Sequence, residues 1–123
     1  MASNKTIRFG PVAMAASATN ILNPPTLTGG TGLAGTNTNT YVILRHIRIV
    51  NKTAGAVTAS LFIGATGGSA AGTEFAYNAT SIAANSYVDW FGLARLETTD
   101  FLSGLASAAT SLTIEGEGEI GVE

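Results

Sequence analysis

The sequence predicts an all-β fold: a single-domain antiparallel β-sandwich, jelly-roll-like, with an extended N-terminal arm and a long Gly/Thr/Pro loop. Two observations lead to this prediction. About eight short stretches with strand character follow one another at roughly 10-residue spacing, and turn residues separate them. No stretch has the length of an ordinary helix, which argues against a parallel α/β sheet because such a sheet needs crossover helices.

The composition favours a protein that is buried in an assembly. The chain has 123 residues, which is enough for one domain with its own hydrophobic core. Only 11% of the residues are charged, against roughly 25% in ordinary domains. Few charges are therefore available to keep molecules apart in solution. A secreted or merely adhesive domain would have a similar composition, and that alternative stays open.

Charge and cysteine content argue against several functional classes. The net charge is −2 and no basic run is present, so phosphate neutralisation on a nucleic acid is not expected. The absence of cysteine removes disulfides, thiolate nucleophiles and cysteine-based zinc sites. The N-terminal residues lack the apolar segment of a signal peptide, and no run approaches the roughly 20 apolar residues of a membrane span. We therefore expect synthesis in the cytoplasm and no membrane partner.

The N-terminal third is predicted to lie outside the sandwich core. Residues 6–9 and 12–16 resemble short strands on either side of the Gly10-Pro11 turn signal. Residues 23–40 are rich in Gly, Thr and Pro and carry no charge, which is typical of an extended loop. Such a loop is either a surface excursion or a contact with a partner. The predicted division is an arm with its loop over residues 1–40 and a β-sandwich core over residues 41–123.

The clearest predicted strand is YVILRHIRIV, residues 41–50. Both of its faces are partly apolar, which indicates a central strand. Simple alternation predicts one face from Tyr41, Ile43, Arg45, Ile47 and Ile49, and the other from Val42, Leu44, His46, Arg48 and Val50. Turn residues at 51–55 precede the apolar stretch AVTASLFIG, which we expect to return as the hairpin partner of this strand.

The C-terminal half is predicted to hold two aromatic strands, a short segment and an acidic strand. Residues 73–79 and 86–91 are the aromatic strands, and residues 93–96 begin the short segment. Residues 101–109 are the one place where a helical turn or lid is expected. In the closing stretch SLTIEGEGEIGVE, the glutamates recur every second residue, which is the period of a β-strand. The expected solvent face is Thr113, Glu115, Glu117, Glu119 and Glu123, and the expected core face is Leu112, Ile114, Ile120 and Val122.

No pattern in the sequence predicts catalysis, a cofactor or a nitrogen-rich metal site. The chain has a single histidine, His46, between Arg45 and Ile47, where a structural role is expected rather than a role as general base. The sequence has no G-x-S-x-G elbow, and no carboxylate pair has a spacing that favours a glycosidase. The glycine-rich residues 64–72 lack both a lysine and a following helix, so they do not predict a phosphate site.

Three interpretations of the closing glutamates stay open. They are the solvated face of a terminal strand, where charge discourages edge-to-edge aggregation. Alternatively, they pair with basic groups of this chain or of a neighbouring subunit, or they bind Ca²⁺, although a flat face lacks the wrapping loop that Ca²⁺ prefers. Trp90 and Phe91, together with Tyr87, are either core or a stacking platform for a sugar or partner. The predicted interface residues are Arg45, Arg48, Lys52, Glu115, Glu117, Glu119, Tyr87 and Trp90, with Arg95 as a further basic candidate.

The segments LRHIRIVNKTAGAVTASLFIG, LETTDFL and EGEGEIGVE resemble the small β-sandwich proteins encoded among the structural genes of tailed bacteriophages. The resemblance covers residues 41–123 and includes no catalytic residues. It implies a non-enzymatic virion protein, made in the host bacterial cytoplasm: a capsid decoration or cement protein, or a minor tail protein. The implied partners are the major capsid protein or other virion proteins, with homo-oligomerisation expected and a trimer favoured. A receptor-binding tail component and a small carbohydrate-binding module are the alternatives.

Overall fold

The computed structural model describes residues 5–22 and 40–122, which form eight β-strands and no helix. The all-β prediction is confirmed: the strands form two antiparallel sheets of four strands each, as in a β-sandwich. The strands are β1 (Lys5–Ala13), β2 (Thr19–Leu22), β3 (Thr40–Asn51), β4 (Val57–Gly64), β5 (Thr80–Ile82), β6 (Ser86–Leu96), β7 (Phe101–Ala106) and β8 (Leu112–Val122).

The order of the strands is that of a jelly roll. Sheet I runs β1-β8-β3-β6, and sheet II runs β2-β7-β4-β5. The strands therefore form nested antiparallel pairs: β1 with β8, β2 with β7, β3 with β6 and β4 with β5. The additional pairs of β3 with β8 and of β4 with β7 join these nested pairs into two sheets.

The hydrophobic core lies between the two sheets. Sheet I contributes fully buried Phe9, Leu44, Ile47 and Ile114, which alternate with outward side chains along their strands. Sheet II contributes the remaining apolar layer, including Leu22, Leu61, Ile82, Leu102 and Ala106. Among residues 5–22 and 40–122, every buried side-chain nitrogen or oxygen has a hydrogen-bond partner.

The faces predicted for the acidic strand β8 are confirmed where the side chains are described. Leu112, Ile114 and Ile120 are buried, whereas Glu115, Glu117 and Glu119 are partly exposed. The strand does not lie at an edge, however, because β1 pairs with one side of it and β3 with the other. The glutamates therefore do not protect a free strand edge. Glu123 lies outside the described residues.

Strand β3 is central, as predicted, but its simple alternation is wrong. A register shift between Leu44 and His46 inserts Arg45 as an extra residue opposite β8. Before the shift Val42 and Leu44 face the core, and after it the core residues are Ile47 and Ile49. The bulge consequently places His46 and Arg48 on the same outer face as Tyr41 and Ile43, which alternation alone had separated.

The predicted hairpin between β3 and β4 is also wrong, because the two strands lie in different sheets. Asn51, fully buried at the end of β3, organises the crossing. Its amide nitrogen donates to the carbonyl oxygens of Gly55 at 2.9 Å and Ile82 at 3.0 Å. Its amide oxygen accepts from the backbone nitrogen of Thr53 at 2.9 Å and from the hydroxyl of Thr53 at 2.7 Å. The turn residues thus send the chain across the sandwich instead of back along β3.

The N-terminal prediction differs from the structure over the described residues. Residues 5–13 form one strand, interrupted in register at Gly10-Pro11, and Ile7 and Phe9 are part of the core. Residues 19–22 form β2 in sheet II. Residues 5–22 thus belong to the sandwich and are not a separate arm. The predicted loop over residues 23–40 lies, except for Thr40, outside the described residues.

Three further differences occur in the C-terminal half. The helical turn or lid predicted over residues 101–109 is wrong, since Phe101–Ala106 is strand β7. Residues 73–79 make only isolated bridges, not a strand. Residues 86–91 and 93–96 form the single long strand β6 instead of two segments. The aromatic and small residues in these stretches carry too little periodicity to show the strand boundaries.

Candidate interaction surface

The outer face of sheet I carries most of the charged and exposed aromatic side chains that the sequence singled out. We call this surface the outer face. Its residues come from all four strands: Thr6 and Arg8 on β1; Glu115, Glu117 and Glu119 on β8; Tyr41, Ile43, Arg45, His46, Arg48 and Val50 on β3; and Tyr87, Asp89, Phe91, Leu93 and Arg95 on β6.

Two glutamates of β8, Glu117 and Glu119, meet basic groups of their own chain. Glu119 accepts two hydrogen bonds from Arg45, one from Nη2 at 2.7 Å and one from Nε at 3.0 Å. Glu117 lies directly opposite His46 in register, and its Oε1 is 2.6 Å from His46 Nδ1. The sequence left open whether the glutamates pair with basic groups of this chain or of a neighbouring subunit. For Glu117 and Glu119, the structure shows pairing within the chain.

His46 lies at the centre of this charge network. Its Nε2 is 2.8 Å from Asp89 Oδ1 on β6, so both ring nitrogens face carboxylates. Burial by itself lowers the pKa of His46, but the hydrogen bonds to Asp89 and Glu117 together outweigh this and raise the pKa above its ordinary value. A protonated imidazole can donate to both carboxylates at once. The ring therefore ties β6, β3 and β8 together across the outer face.

Asp89 is the second centre of the network. It accepts from Arg48 Nε at 2.8 Å and from Arg48 Nη2 at 3.1 Å, in the two-pronged geometry typical of arginine and carboxylate. The hydrogen bond from Arg48, followed by that from His46, lowers the pKa of Asp89 to about 2. Arg48 thus pairs with β6 and not with Glu115, its register partner on β8.

Glu115 and Glu117 interact with each other. Because they lie two residues apart on one strand, their side chains extend from the same face. A hydrogen bond between the two carboxyl groups raises the pKa of Glu115 and lowers the pKa of Glu117. Such a bond requires a proton on one of the two groups, so the pair holds a proton more readily than an isolated glutamate does.

In metal-free buffer, the melting temperature should fall as pH rises above about 6.5, the ordinary pKa of histidine. A histidine whose pKa is raised by folding stabilises the native state fully below that value, and this contribution is lost as pH rises through the folded-state pKa. On the acid side, Asp89 contributes stability above its ordinary pKa that is lost as pH falls towards about 2. Calorimetry between about pH 2 and pH 9 measures both decreases in melting temperature, the alkaline limb from His46 and the acid limb from Asp89.

The matched variant for this measurement is His46→Gln. It should abolish the alkaline fall but keep the acid limb, since the Arg48 and Asp89 pair remains. A wild-type melting temperature that is flat between about pH 6 and pH 9 would contradict the assigned role of His46.

Two cation–ring stacks and one ring–ring stack lie along β3 and β6. The guanidinium of Arg48 lies 4.4 Å from the ring centre of Tyr87, and that of Arg95 lies 4.0 Å from the ring centre of Tyr41. Between them, the rings of His46 and Phe91 stack at 4.7 Å with 24° between their planes. Such contacts stabilise by about 0.5–1 kcal/mol each at exposed sites. The aromatic rings on this face are consequently held in defined positions.

The structure separates Trp90 from the predicted interface residues. Trp90 is opposite Ile47 in register, faces inward, and packs edge-on against Phe75 with 4.9 Å between ring centres. Its neighbour Phe91, which belongs to the same predicted aromatic cluster but was not among the predicted interface residues, is 73% exposed, and Leu93 is 65% exposed. Alternation around Trp90 would have shown that Phe91 faces the other way, but not which face is core.

Lys52 lies apart from the other predicted residues. It is exposed in the turn that follows β3, whereas Arg45, Arg48, Tyr87 and the three glutamates share the outer face. Arg95 pairs with Glu97, with 2.9 Å between Nε and Oε2. The structure therefore brings together six of the eight predicted interface residues, without Lys52 and Trp90.

Comparison with known proteins adds no family assignment. No protein-family model matches the sequence, and no curated protein is significantly similar to it. Within residues 5–22 and 40–122, no helix is long and apolar enough to cross a membrane. The geometry described above is thus the basis for a functional proposal.

Proposed function

We propose that this protein is a non-enzymatic structural component of a tailed-phage virion, a capsid decoration protein that binds the outer capsid surface and stabilises it. It would be made in the host cytoplasm and would assemble as a homo-oligomer, with a trimer favoured, on the major capsid protein. The observation that carries the proposal is the exposure of Tyr87, Phe91 and Leu93 on one strand of the outer face, at 55%, 73% and 65%.

The exposed residues have the character of a protein interface. Large apolar side chains that cluster on a surface typically mark contact sites, and aromatic residues are enriched there. They lie on β6, which is an edge strand of sheet I among the described residues. Burying Phe91 and Leu93 against a partner would contribute on the order of 1.5–3 kcal/mol for each side chain.

The charges beside these residues also suit burial. Arg45, Arg48 and His46 each have a carboxylate partner within the chain. Covering a charge that already has a partner costs less than covering an isolated one, because its hydrogen bonds are kept. A capsid surface could therefore dock on the outer face without having to neutralise every charge.

Fold and composition agree with the proposal. Double-sheet jelly rolls occur in viral capsid proteins and in lectins, although a fold alone does not establish a function. The low proportion of charged residues, 11%, suits a protein whose surface is covered on assembly. A closed symmetric oligomer would repeat each contact, and a trimer would match the three-fold positions of a capsid lattice.

The test uses capsids of the phage that carries the gene, prepared without this protein. Wild type should co-sediment with them saturably and raise their melting temperature. The double variant Phe91→Ser, Leu93→Ser should keep its fold, because both side chains are exposed, and bind at least tenfold more weakly. The control Ala54→Ser changes an exposed turn residue and should bind as wild type does.

Two results would contradict the proposal at different levels. Absence of the protein from purified particles, together with no binding to capsids, would overturn the decoration function. Capsid binding by the double variant equal to that of wild type would overturn the assignment of the outer face as the contact. The native mass of wild type, measured separately, tests the trimer.

A second candidate function is glycan binding, as a tail component or a carbohydrate-binding module. The observation that favours it is the set of rings held by stacking on one face, Tyr41, Tyr87 and Phe91. Sugar rings pack on such faces, and adjacent charged groups can bind their hydroxyls. Binding of wild type to host surface polysaccharide, lost in Tyr87→Ala, together with no binding to capsids, would favour this function over decoration.

A further inference from the structure

We propose that His46, Glu115 and Glu117 form a binding site for one divalent transition-metal ion, of the class that includes Zn²⁺ and Co²⁺. The sequence predicted no nitrogen-rich metal site, because it contains a single histidine, and it left open only Ca²⁺ binding by the closing glutamates. The structure places that histidine against two carboxylates on the neighbouring strand, a mixed nitrogen and oxygen set that zinc accepts. The inference does not depend on the function proposed above.

The first support is the convergence of the donor atoms. One ring nitrogen of His46 and one carboxylate oxygen each from Glu115 and Glu117 lie within 4.8 Å of one another. The ligands come from two paired strands, β3 and β8, with His46 directly opposite Glu117. Zinc bonds nitrogen and carboxylate oxygen at about 2.0–2.2 Å. Reaching that geometry requires the side chains to move closer together, and both glutamates are partly exposed.

The second support is the orientation of the imidazole, which a residue outside the ligand set determines. Asp89 on β6 lies 2.8 Å from Nε2, and Glu117 lies 2.6 Å from Nδ1. With a metal ion bound at Nδ1, the proton of the neutral ring would be on Nε2 and would be donated to Asp89. Metal-binding histidines almost always have this outer partner, because it fixes the tautomer and makes the ligand nitrogen more basic. Arg48 in turn holds Asp89, and Phe91 stacks on the ring.

The third support is the placement of Glu115 and Glu117, which lie two residues apart on β8 and therefore extend from the same face as His46. One metal ion between the three donor atoms could therefore bind both carboxylates. Arg8, opposite Glu117 on β1, is the competing cation on this side of the face. We therefore expect binding of moderate strength, not that of a closed structural zinc site.

The ligand set also predicts selectivity. Ca²⁺ and Mg²⁺ prefer six or more oxygen ligands, and a flat sheet face with three protein donors does not wrap them. Imidazole nitrogen favours zinc, copper, nickel and cobalt over these harder ions. The three protein donors lie on a solvent-facing surface, which leaves the remaining positions for water or a partner's side chain. We expect Zn²⁺ and Co²⁺ to bind, and Ca²⁺ to bind at least tenfold more weakly.

The test uses the full chain, stripped with a chelator and dialysed. Titration with CoCl₂ should produce visible absorption bands of protein-bound cobalt, and ZnSO₄ should displace them and raise the melting temperature. His46→Gln, and separately Glu117→Gln, should weaken Zn²⁺ binding at least tenfold. Glu119→Gln is the matched control, because Glu119 is on the same strand and face but pairs with Arg45 instead.

Circular dichroism of each variant checks that it is folded. The proposal is wrong if wild type binds neither Co²⁺ nor Zn²⁺ with a dissociation constant below about 1 mM. That constant corresponds to a binding free energy of only about 4 kcal/mol. The proposal is equally wrong if Glu119→Gln loses as much affinity as His46→Gln, since the metal would then bind to the acidic strand without using the imidazole.

Discussion

Deleting residues 1–13 is expected to unfold the protein, not merely to weaken its assembly. The deletion removes β1, which pairs with β8 from Lys5 to Ala13 and buries Ile7 and Phe9 in the core. Losing a buried phenylalanine costs about 3–5 kcal/mol by itself, and a whole domain is stable by only about 5–15 kcal/mol. Thermal unfolding followed by circular dichroism should show no cooperative transition.

Two point variants test whether the deletion acts through the lost core packing of β1 or through the removal of the strand itself. Phe9→Ala should lower the melting temperature strongly, because Phe9 is fully buried. Thr6→Ala, on the exposed face of the same strand, should change it by no more than a few degrees. A truncated chain that unfolds cooperatively near the wild-type temperature would instead restore the interpretation of β1 as an arm.

Gly116→Ala is expected to destabilise the protein by at least about 2 kcal/mol. Gly116 pairs with Phe9 on one side and with Ile47 on the other. A methyl group at this position would lie 2.6 Å from the carbonyl oxygen of His46 and would overlap the ring of Phe9. Phe9 has no free space to move into, because it is fully buried. Differential scanning calorimetry measures the loss.

The control for this substitution is Gly55→Ala. Gly55 is exposed in the turn after β3, and an added methyl group there would meet no atom within 4 Å. Alanine at such a position should be neutral or slightly stabilising, because it restricts the unfolded chain. If Gly116→Ala were as stable as Gly55→Ala, then Phe9 would not pack against Gly116 as described.

Patterns within a single strand were predicted well from the sequence. The two-residue period of β8 determines which side chains are buried, because neighbouring residues on any strand point to opposite faces. The apolar character of both faces of residues 41–50 likewise showed that β3 is central. These properties depend only on residues close together in the sequence.

Features that depend on a distant partner could not be predicted. The bulge at Arg45 exists because β3 must match β8, a strand from the other end of the chain. The sequence of β3 gives no sign of it, so alternation placed Ile43 and Ile47 on one face. The assignment of β4 to the second sheet has the same origin, since its partners β5 and β7 follow later in the chain.

The candidate surface was predicted in part for the same reason. Arg45 and Glu119 were predicted as interface residues because of their charge, and the structure places both on the outer face, where they pair with each other. Trp90 and Phe91 have similar hydrophobicity and occupy adjacent positions, so composition cannot tell which one faces solvent. The pairing of Trp90 with Ile47 and of Phe91 with His46 determines which of the two rings faces solvent. That pairing depends on the register shift between Leu44 and His46, which the sequence does not show.

The position of β8 between β1 and β3 has a consequence for the newly made chain on the ribosome. Within the described residues, β8 is the last strand to be synthesised, yet it is the only neighbour of β1 in sheet I. At about 5–20 residues per second, translation leaves β1 without its partner for roughly 5–20 s. Sheet I is therefore completed only when the C-terminal strand has left the exit tunnel. Until then, the apolar side chains of β1 are open to chaperones and to other nascent chains.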